Sequence, residues 1–561
     1  MPAGNSFPES CVPRRCPNRR PPFVQPVTYS RRHFLQHASL VAASTLAPMP
    51  LLGASRRSPL IHVPSTPGTS TEPDFSALVA RAVDAATRAG ATYADARITH
   101  LRSQAPGWNE GEEHGLGVRV LVNGYWGFLG SAVWTPDEAV RLARGAVAQA
   151  KAHSRGKVKP VNLGPAATVR DGAWVMPVKY DPFDIPVGEK FDVLNSFSDY
   201  ASSYMVGIGT NAGMGFDREH KIVATSDGAS WQQTTYRSYA SFALYYRDEY
   251  HLGLNMGAVG ADGLSAAGRG WELVSESGLI DAIPGLIDEA EQARHVIPFD
   301  VGRYDVVFSA EAMANILDQT LGAATELDRA LGYEANASGT SYLSDPLDYL
   351  GTLQVASPLV SVSANRSHPT GLATVRWDDE GVVPEDFTLV KDGVLVDYQT
   401  TREQAAWLEP YYQRIGHPVR SHGCANAGSA LFITMQHVPN LALTPGRADT
   451  TFDDLVAGTE KGIAILSCNP SMDQQVLNGL GYCTMREIKR GKLGRYLHGG
   501  ALMFRAPELW KNVVGLGGPK SMQWFGMGRG KGQPGQGTYH SVGAVPAKVT
   551  QLSIIDPGRK A

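Results

Sequence analysis

The sequence predicts an α+β protein in which an N-terminal helix and antiparallel-sheet domain precedes a β-rich C-terminal domain. Helical spacing of apolar residues is concentrated in the first 330 residues. From Thr340 onward, short apolar segments instead alternate with turn residues, which is the pattern of strands. Tight turns such as Asn123-Gly124 join successive segments, and turns this short connect antiparallel strands.

The composition excludes several classes of protein. The 561 residues are enough for about two to four domains. A mean hydropathy of −0.18 excludes a protein with many membrane spans. The net charge of −3 gives no sign of the basic surface that nucleic-acid binding needs. The 60 glycines and 36 prolines indicate many turns, but they stay below the content typical of disordered chains.

The N-terminal segment has the features of a twin-arginine export signal. Arg31 and Arg32 are followed by a Phe-Leu step and a weakly apolar run over residues 40–52. This run is too short to span a bilayer, so we expect no stable membrane insertion after export. A chance Arg-Arg pair before a short core helix is the alternative. Residues 1–55 are therefore predicted to direct the protein to the periplasm, and residues 56–73 to form a linker.

The first predicted elements are a helix, a strand and a hairpin. Apolar residues recur at i, i+3, i+4, i+7 and i+8 from Phe75, and Gly90 follows the end of this helix. A strand is expected near residues 93–101. Asn123-Gly124 then predicts a hairpin, because both residues tolerate the positive φ of a type I′ turn.

Two further helices are predicted from their N-caps. Thr135 and Glu138 flank Pro136 in a capping box, which opens a helix to about residue 152. Ser309 caps a helix that is expected to run to about Ala330.

The rest of the chain is predicted to be mostly strands, apart from a helix near residues 286–296. Asp392-Gly393 and Arg490-Gly491 predict hairpins in the C-terminal half. We expect five regions along the chain: a signal region 1–55, a linker 56–73, an N-terminal α/β domain 74–155, a central domain 156–296 and a β-rich C-terminal domain 297–561.

Standard catalytic motifs are absent from the sequence, including His-Glu-x-x-His, Gly-x-Ser-x-Gly and the phosphate-binding loop. The glycine-rich run over residues 526–537 resembles a phosphate loop only in composition. Its Lys531 precedes Gly532 rather than a Ser or Thr, so no hydroxyl would meet a magnesium ion. The run therefore predicts a flexible loop.

Three residues of types that bind metals, His417, His422 and Cys424, lie within a stretch of eight residues. They would need a fourth ligand or a water, and a tight turn, to converge on an ion. A polar loop is the simpler interpretation, and a relocated hydrolase site is the alternative. His114, which lies beside two glutamates, is interpreted as the polar edge of a strand.

A second alternative site consists of the acidic residues Asp378, Asp379 and Glu380, which precede Gly381. Paired carboxylates could supply general acid–base chemistry. Acidic turns of this kind are more often solvated, or they cap backbone N–H groups. The relocated site could therefore use either this run or the histidine and cysteine set.

The strongest family signal lies at residues 376–406, from Arg-Trp-Asp-Asp-Glu-Gly-Val-Val-Pro through Thr-Leu-Val-Lys-Asp-Gly-Val-Leu-Val-Asp-Tyr. This segment resembles the core signature of the TldD/PmbA family of metallopeptidase-related proteins, also called modulators of DNA gyrase. The resemblance extends to Gly-Ala-Thr-Tyr-Ala-Asp-Ala-Arg at residues 90–97, to Gly117-Val-Arg-Val and to the Asn426 loop. It covers most of residues 76–550, with the segments in the family's order.

The resemblance implies a zinc-dependent peptidase fold, whose active members carry His-Glu-x-x-x-His on a helix and a distant Cys. In a regular helix, positions i and i+5 lie about 140° apart, so the helix must end or distort there. Gly322 lies at that point. Aligned without a gap, the first His corresponds to Asp318, the Glu to Gln319 and the second His to Ala323. The Cys position falls on or near Arg529.

These replacements remove the chemistry that the motif supplies. Gln cannot accept a proton as a general base, Ala cannot ligate a metal, and Arg repels a cation. Because the family pairs an active subunit with one that lacks the motif, the resemblance implies a non-catalytic subunit in peptide proteolysis, without bound zinc. Its partner would be a homologous subunit, in a hetero- or homodimer. The alternatives are an active hydrolase with a relocated site and a stand-alone periplasmic peptide-binding protein.

The segment from Ser309 to Ala330 keeps its cap and its apolar face although the chemical residues are replaced. We therefore expect this apolar face to pack on the β-rich half of the protein. The polar face, with Asp318 and Gln319, is expected to line a cavity.

Overall fold

The computed structural model describes residues 75–155, 160–165, 168–204, 208–246, 256–258 and 266–558. The predicted signal region and linker lie outside these residues, so export stays a prediction. Within the described ranges, no helix has both the length and the apolar character needed to cross a membrane.

Helices of the described residues lie mainly in the first two thirds of the chain. The α-helices are α1 (Phe75–Arg88), α2 (Pro136–His153), α3 (Val187–Tyr204), α4 (Glu272–Ser275), α5 (Leu279–Ala293), α6 (Ala310–Leu317), α7 (Leu327–Ala330), α8 (Pro346–Tyr349), α9 (Arg402–Ala405), α10 (Glu409–Arg414), α11 (Phe452–Ala457) and α12 (Ala506–Lys511). A π-helical turn lies at Asp318–Gly322, and 3-10 turns lie at Ala406–Leu408 and Pro519–Ser521.

Strands continue to the C-terminus. They are β1 (Tyr93–Ala105), β2 (Asn109–Val122), β3 (Tyr125–Ser131), β4 (Gly172–Val175), β5 (Ile208–Thr225), β6 (Ser230–Tyr246), β7 (Met256–Ala258), β8 (Gly302–Phe308), β9 (Val362–Asn365), β10 (Phe387–Lys391), β11 (Val394–Leu395), β12 (Ala425–Asn426), β13 (Met435–Gln436), β14 (Asn440–Leu443), β15 (Lys461–Met472), β16 (Asn478–Lys489), β17 (Lys492–Tyr496), β18 (Ala501–Arg505), β19 (Val513–Leu516), β20 (Gln523–Lys531), β21 (Gln536–Ala544) and β22 (Ala547–Ile555).

The N-terminal sheet, here called sheet I, has the strand order β3-β2-β1-β5-β6-β4, with β7 paired to β6. Helices α1 and α2 cover one of its faces. Alternate strand residues such as Ile98 and Val118 pack there against helix residues such as Val79 and Leu142. Sheet I takes strands from both sides of residue 155, and the expected domain boundaries stay predictions.

Local sequence signals place these elements. Asn123 and Gly124 have φ angles of 52° and 83° and join β2 to β3, which confirms the predicted hairpin. Thr135 Oγ1 accepts a hydrogen bond from the Glu138 N–H at 3.2 Å. The Glu138 carboxylate pairs with Arg141 at 2.6 Å, so it supports the next turn of the helix.

Two large sheets and the two-stranded sheet β12–β13 form the C-terminal region, which confirms the α+β class. Sheet II has the order β11-β10-β9-β14-β21-β20, and sheet III has the order β15-β8-β22-β18-β16-β17. Strand β15 also pairs with β16, so five strands of sheet III form a closed ring. Helix α6 follows β8 directly and packs against β15 and β21. It therefore lies in the core, together with residues such as Phe308, Leu441 and Val542.

The prediction of a flexible loop over residues 526–537 is wrong. This run forms most of a hairpin between β20 and β21, with the turn at residues 532–535. A Cβ at Gly526 would lie 2.3 Å from the carbonyl oxygen of Ala266. This glycine is therefore required by close packing of two backbones, which its residue type alone does not distinguish from flexibility.

Candidate functional site

The helix that follows β8 changes its winding at the aligned motif position. Ser309 caps α6 as predicted, and its Oγ accepts a hydrogen bond from the Ala312 N–H at 3.1 Å. The regular helix ends at Leu317, earlier than predicted, because Asp318–Gly322 form a π-helical turn in which the Ala323 N–H donates to the Asp318 carbonyl. A π-helical turn has i→i+5 hydrogen bonds, so residues 318 and 323 come to one side. The spacing of the family's motif predicts this distortion, and the chain keeps it although the motif residues are replaced.

Gly322 permits tight packing at the end of this turn. A Cβ there would lie 2.6 Å from Leu441 Cδ1 and 3.1 Å from the Leu317 carbonyl oxygen. Any side chain at this position would therefore displace core atoms of β14.

Asp318 is a buried carboxylate enclosed by three polar side chains. His540 Nε2 lies 2.6 Å from Oδ1, Arg529 Nη2 lies 2.8 Å from the same atom, and Gln319 Nε2 donates to Oδ2 at 2.6 Å. Burial opposes ionisation, but Arg529 and His540 hold the pKa of Asp318 well below its usual range. The side chain of Asp318 is only 3% exposed, and the expectation that it lines a cavity stays a prediction.

Arg529 lies where the alignment places the cysteine, and its guanidinium joins two carboxylates. Nη1 donates to Glu326 Oε1 at 2.9 Å, and Nε donates to Asp318 Oδ2 at 3.2 Å. Nη2 also donates to the main-chain carbonyl of Asp318. Burial opposes the charge, but the two carboxylates raise the pKa of Arg529, so the guanidinium stays charged.

A second cation, two residues along β20, extends this network. Lys531 Nζ donates to Glu326 Oε2 at 2.6 Å and to Asp328 Oδ1 at 2.9 Å. Arg329 Nε lies 3.7 Å from Glu326 Oε1. Carboxylates and permanent cations are equal in number, so the charges balance within the chain. We call these six residues the buried ion network: Asp318, Glu326, Asp328, Arg329, Arg529 and Lys531.

The residues at the motif positions do not fit a zinc ion. Zinc in proteins takes at least three ligands from Cys, His or carboxylate side chains. Ala323 offers only a methyl group, Gln319 cannot act as a base, and the Asp318 carboxylate is already bonded to Arg529 and His540. No metal-dependent step can be built on this donor set.

Several residues in or beside the network carry no motif in the sequence. Glu326, Asp328 and His540 stand outside the aligned ligand positions, and Lys531 lies in the run predicted as a loop. The spacing of Arg529 and Lys531 is the signal that could have found Lys531, because residues i and i+2 of a strand share a face.

The acidic run at residues 378–380 is buried against sheet I. Asp379 accepts hydrogen bonds from Arg97 of β1 at 3.1 Å and from Lys221 of β5 at 2.7 Å. Glu380 accepts one from Arg119 of β2 at 3.1 Å. These two carboxylates therefore connect the segment to sheet I.

Asp378 has a different environment from its two neighbours. It accepts hydrogen bonds from the backbone N–H groups of Glu380, Val382 and Ala425. Burial, with the nearby Glu380 charge, raises its pKa to about 7. All three carboxylates of the run thus have protein partners, and the pattern is that of a structural turn.

His422 is held in an ion pair. Its ring stacks on Phe387 with centroids 4.0 Å apart, and Nε2 lies 3.0 Å from Asp397 Oδ2. Burial opposes the charge, but Asp397 and Glu385 raise the pKa of His422 to about 9. The ion pair with Asp397 thus occupies Nε2 and favours the protonated ring, and a metal would have to displace that proton.

The other two members of that set differ in exposure. Cys424 is fully buried, and burial raises the pKa of its thiol to about 12, so it is not a ready nucleophile. His417 is exposed. In the part of the chain that the structure describes, His417, His422 and Cys424 belong to no group of three ligand atoms within 4.8 Å of one another.

Two family models match this chain. The PmbA/TldA metallopeptidase C-terminal domain matches residues 301–555, and the PmbA/TldA metallopeptidase domain 1 matches residues 109–150. Together the two matches cover more than half of the 561 residues. The chain belongs to the PmbA/TldD family. The matched C-terminal domain contains the π-helical turn, the hairpin β20–β21 and the whole buried ion network.

Curated relatives and solved structures agree with this family. A metalloprotease of Methanocaldococcus jannaschii is 23% identical over 380 residues, which cover 66% of this chain and 77% of that protein. A metalloprotease of Methanothermobacter thermautotrophicus is 24% identical over 424 residues, covering 72% and 82%. TldE from Thermococcus kodakarensis has a TM-score of 0.65 at 12% identity, covering 84% of this chain and 98% of that one. This last likeness concerns the fold.

Proposed function

We propose that this PmbA/TldD-family chain is a non-catalytic subunit that assembles with a catalytically active relative in peptide proteolysis. The observation that carries the proposal is the position of the Arg529 guanidinium, which bonds the Asp318 carboxylate beside the aligned ligand positions. A fixed positive charge at that place opposes the binding of a metal cation.

The remaining motif residues support the same conclusion. A peptidase needs a base to activate water, and the amide of Gln319 cannot accept that proton near neutral pH. The amide instead donates to Asp318 at 2.6 Å. In this chain, therefore, the motif residues bind one another and hold the π-helical turn in place.

An exposed apolar patch supports pairing with another subunit. Leu480 and Tyr482 lie on the outer face of β16, and Met503 of β18 lies opposite Leu480. These side chains are 36%, 64% and 50% exposed. Adjacent exposed apolar residues mark protein interfaces. We assign this patch to the homologous subunit, because the relatives that resemble this chain include both metalloproteases and TldE.

The proposal includes export by the twin-arginine route. Arg31 and Arg32, with the weakly apolar run behind them, support it. Twin-arginine export carries folded proteins, so a subunit could cross already assembled with its partner. The protein would then act in the periplasm.

The test is purification of the tagged chain from its native host, with and without an active relative. We expect a relative with an intact His-Glu-x-x-x-His motif to co-purify. The complex should hydrolyse peptides, and Gln319→Ala in this chain should leave the rate unchanged. Loss of hydrolysis on replacing the motif glutamate of the relative is the matched control.

Two results would oppose the proposal. Hydrolysis by the isolated chain that Gln319→Ala abolishes would assign the chemistry to this subunit. A monomeric mass with retained peptide binding, and no co-purifying relative, would favour the stand-alone binding protein.

A further inference from the structure

We propose that His100, Glu112 and His114 form a binding site for a divalent transition metal of the zinc class on sheet I. His100 of β1 and His114 of β2 are directly opposite each other in the antiparallel register. Glu112 is two residues before His114, so its side chain leaves the same face of the strand. The three side chains therefore meet although His100 and Glu112 are 12 positions apart in the sequence.

The spacing of the ligand atoms suits a metal. Glu112 Oε2 lies 3.5 Å from His100 Nε2 and 3.7 Å from His114 Nε2. Zinc–ligand bonds of about 2.0–2.1 Å at tetrahedral angles put neighbouring ligand atoms about 3.4 Å apart. The two measured distances exceed that value by a few tenths of an ångström or less, and all three ligand atoms lie within 4.8 Å of one another.

Neighbouring residues orient the ligands. Glu112 turns its other oxygen, Oε1, toward Arg102 Nε at 3.9 Å, which leaves Oε2 for the imidazoles. Trp134 packs edge-on against His114 with ring centroids 4.3 Å apart, and the two imidazoles stack at 4.2 Å. The Trp134 contact restricts the His114 ring, whereas the two stacked imidazoles must rotate out of their nearly parallel arrangement to direct both Nε2 lone pairs at one ion.

Two of the four imidazole nitrogens of this pair are buried without a hydrogen bond. Among the described residues, neither His100 Nε2 nor His114 Nδ1 has a hydrogen-bond partner, although both atoms are buried. Buried polar atoms without a hydrogen bond are costly, and a metal on His100 Nε2 would remove part of that cost. His220 of β5 lies on the other side of His100, but its Nδ1 already lies 2.9 Å from Thr234 Oγ1.

The ligand types indicate the class of ion. Two imidazoles and one carboxylate suit zinc, cobalt or nickel better than magnesium or calcium, which prefer oxygen ligands. Three protein ligands leave a coordination position for water or for a group from another molecule. This site shares no residue with the buried ion network, and it replaces the interpretation of His114 as a plain polar edge.

The experiment is calorimetric titration of the full chain with zinc chloride, after removal of metals by a chelator. Cobalt absorption spectra give an independent measure of the ligand set. We expect one zinc per chain. His100→Ala and His114→Ala should each weaken binding at least about tenfold, because a three-ligand site loses a third of its donors.

Two further variants serve as a second test of the ligand set and as a control. Glu112→Gln changes a half-exposed side chain, so it should fold normally and still weaken zinc binding. His498→Ala removes an exposed histidine elsewhere and should leave binding unchanged. Zinc binding that survives both His100→Ala and His114→Ala, or a wild-type chain that binds no zinc at tens of micromolar, would overturn the proposal. Neither outcome bears on the non-catalytic role.

Discussion

Replacement of Arg529 tests whether the buried ion network holds the fold at the motif position. Arg529→Met keeps a side chain that fills similar space but removes the charge. Asp318 then retains His540 and Gln319, and Glu326 retains Lys531. Breaking a buried ion pair from one side costs about 3–5 kcal/mol of unfolding free energy. Because both carboxylates keep one cationic or hydrogen-bonding partner, we expect a loss near the lower limit, about 3 kcal/mol.

The pH dependence of this loss follows from the lowered pKa of Asp318. A carboxyl with a lowered folded pKa contributes stability that is present above its unfolded pKa, about 3.9, and is lost as the pH falls through the folded value. Without Arg529 the pKa of Asp318 rises, so this carboxyl takes up a proton at a higher pH. The difference between wild type and Arg529→Met should therefore be largest near pH 7 and shrink as the pH falls through the raised pKa of Asp318 in the variant.

Urea denaturation at pH 7 and pH 4.5 measures both effects. Arg505→Met is the matched control, because Arg505 pairs with Glu508 at 3.3 Å and both side chains are 56% exposed. An exposed pair of this kind contributes about 0–1 kcal/mol. If Arg529→Met were no more destabilising than Arg505→Met, the network would not be a structural element and the reasoning would fail.

Three further predictions concern other regions. The pKa of His422 is raised to about 9, so its ion pair with Asp397 should stabilise the fold fully below about pH 6.5 and lose this effect as the pH rises through about 9. The melting temperature of His422→Gln should not show that loss. Equal pH profiles for this variant and the wild type would contradict the prediction. Arg31→Lys with Arg32→Lys should retain the precursor in the cytoplasm, as measured by fractionation, and normal export of the double variant would refute the signal. Tyr482→Arg should weaken co-purification of the relative at least about tenfold without changing the melting temperature, whereas full co-purification would remove the β16–β18 patch from the interface.

Local signals in the sequence were sufficient for many elements of the fold. Asn123-Gly124, Thr135 and Ser309 determine a turn and two N-caps from interactions within four residues, and each lies where it was predicted. The distortion that ends at Gly322 followed from the family resemblance, because the i to i+5 spacing of the family's motif does not fit a regular helix. These features depend on backbone geometry that a short window of sequence specifies.

The interior of the candidate site could not be predicted in the same way. Arg529 and Asp318 are 211 residues apart, and only the packing of β20 and β21 against α6 brings them together. Likewise, the pairing of His100 with His114 depends on the register of β1 and β2. A one-residue shift of that register would put the two rings on opposite faces. Composition gave no indication of either contact.

Anomalous scattering at the zinc edge, from crystals of the chain soaked in zinc, shows whether the motif position can hold a metal. We expect no zinc beside Asp318, with the Arg529 guanidinium bonded to that carboxylate and to Glu326. A peak at the His100 site would be compatible with this result. A zinc ion at about 2.0–2.2 Å from an Asp318 oxygen, with Arg529 displaced from the carboxylate, would contradict the proposed non-catalytic role.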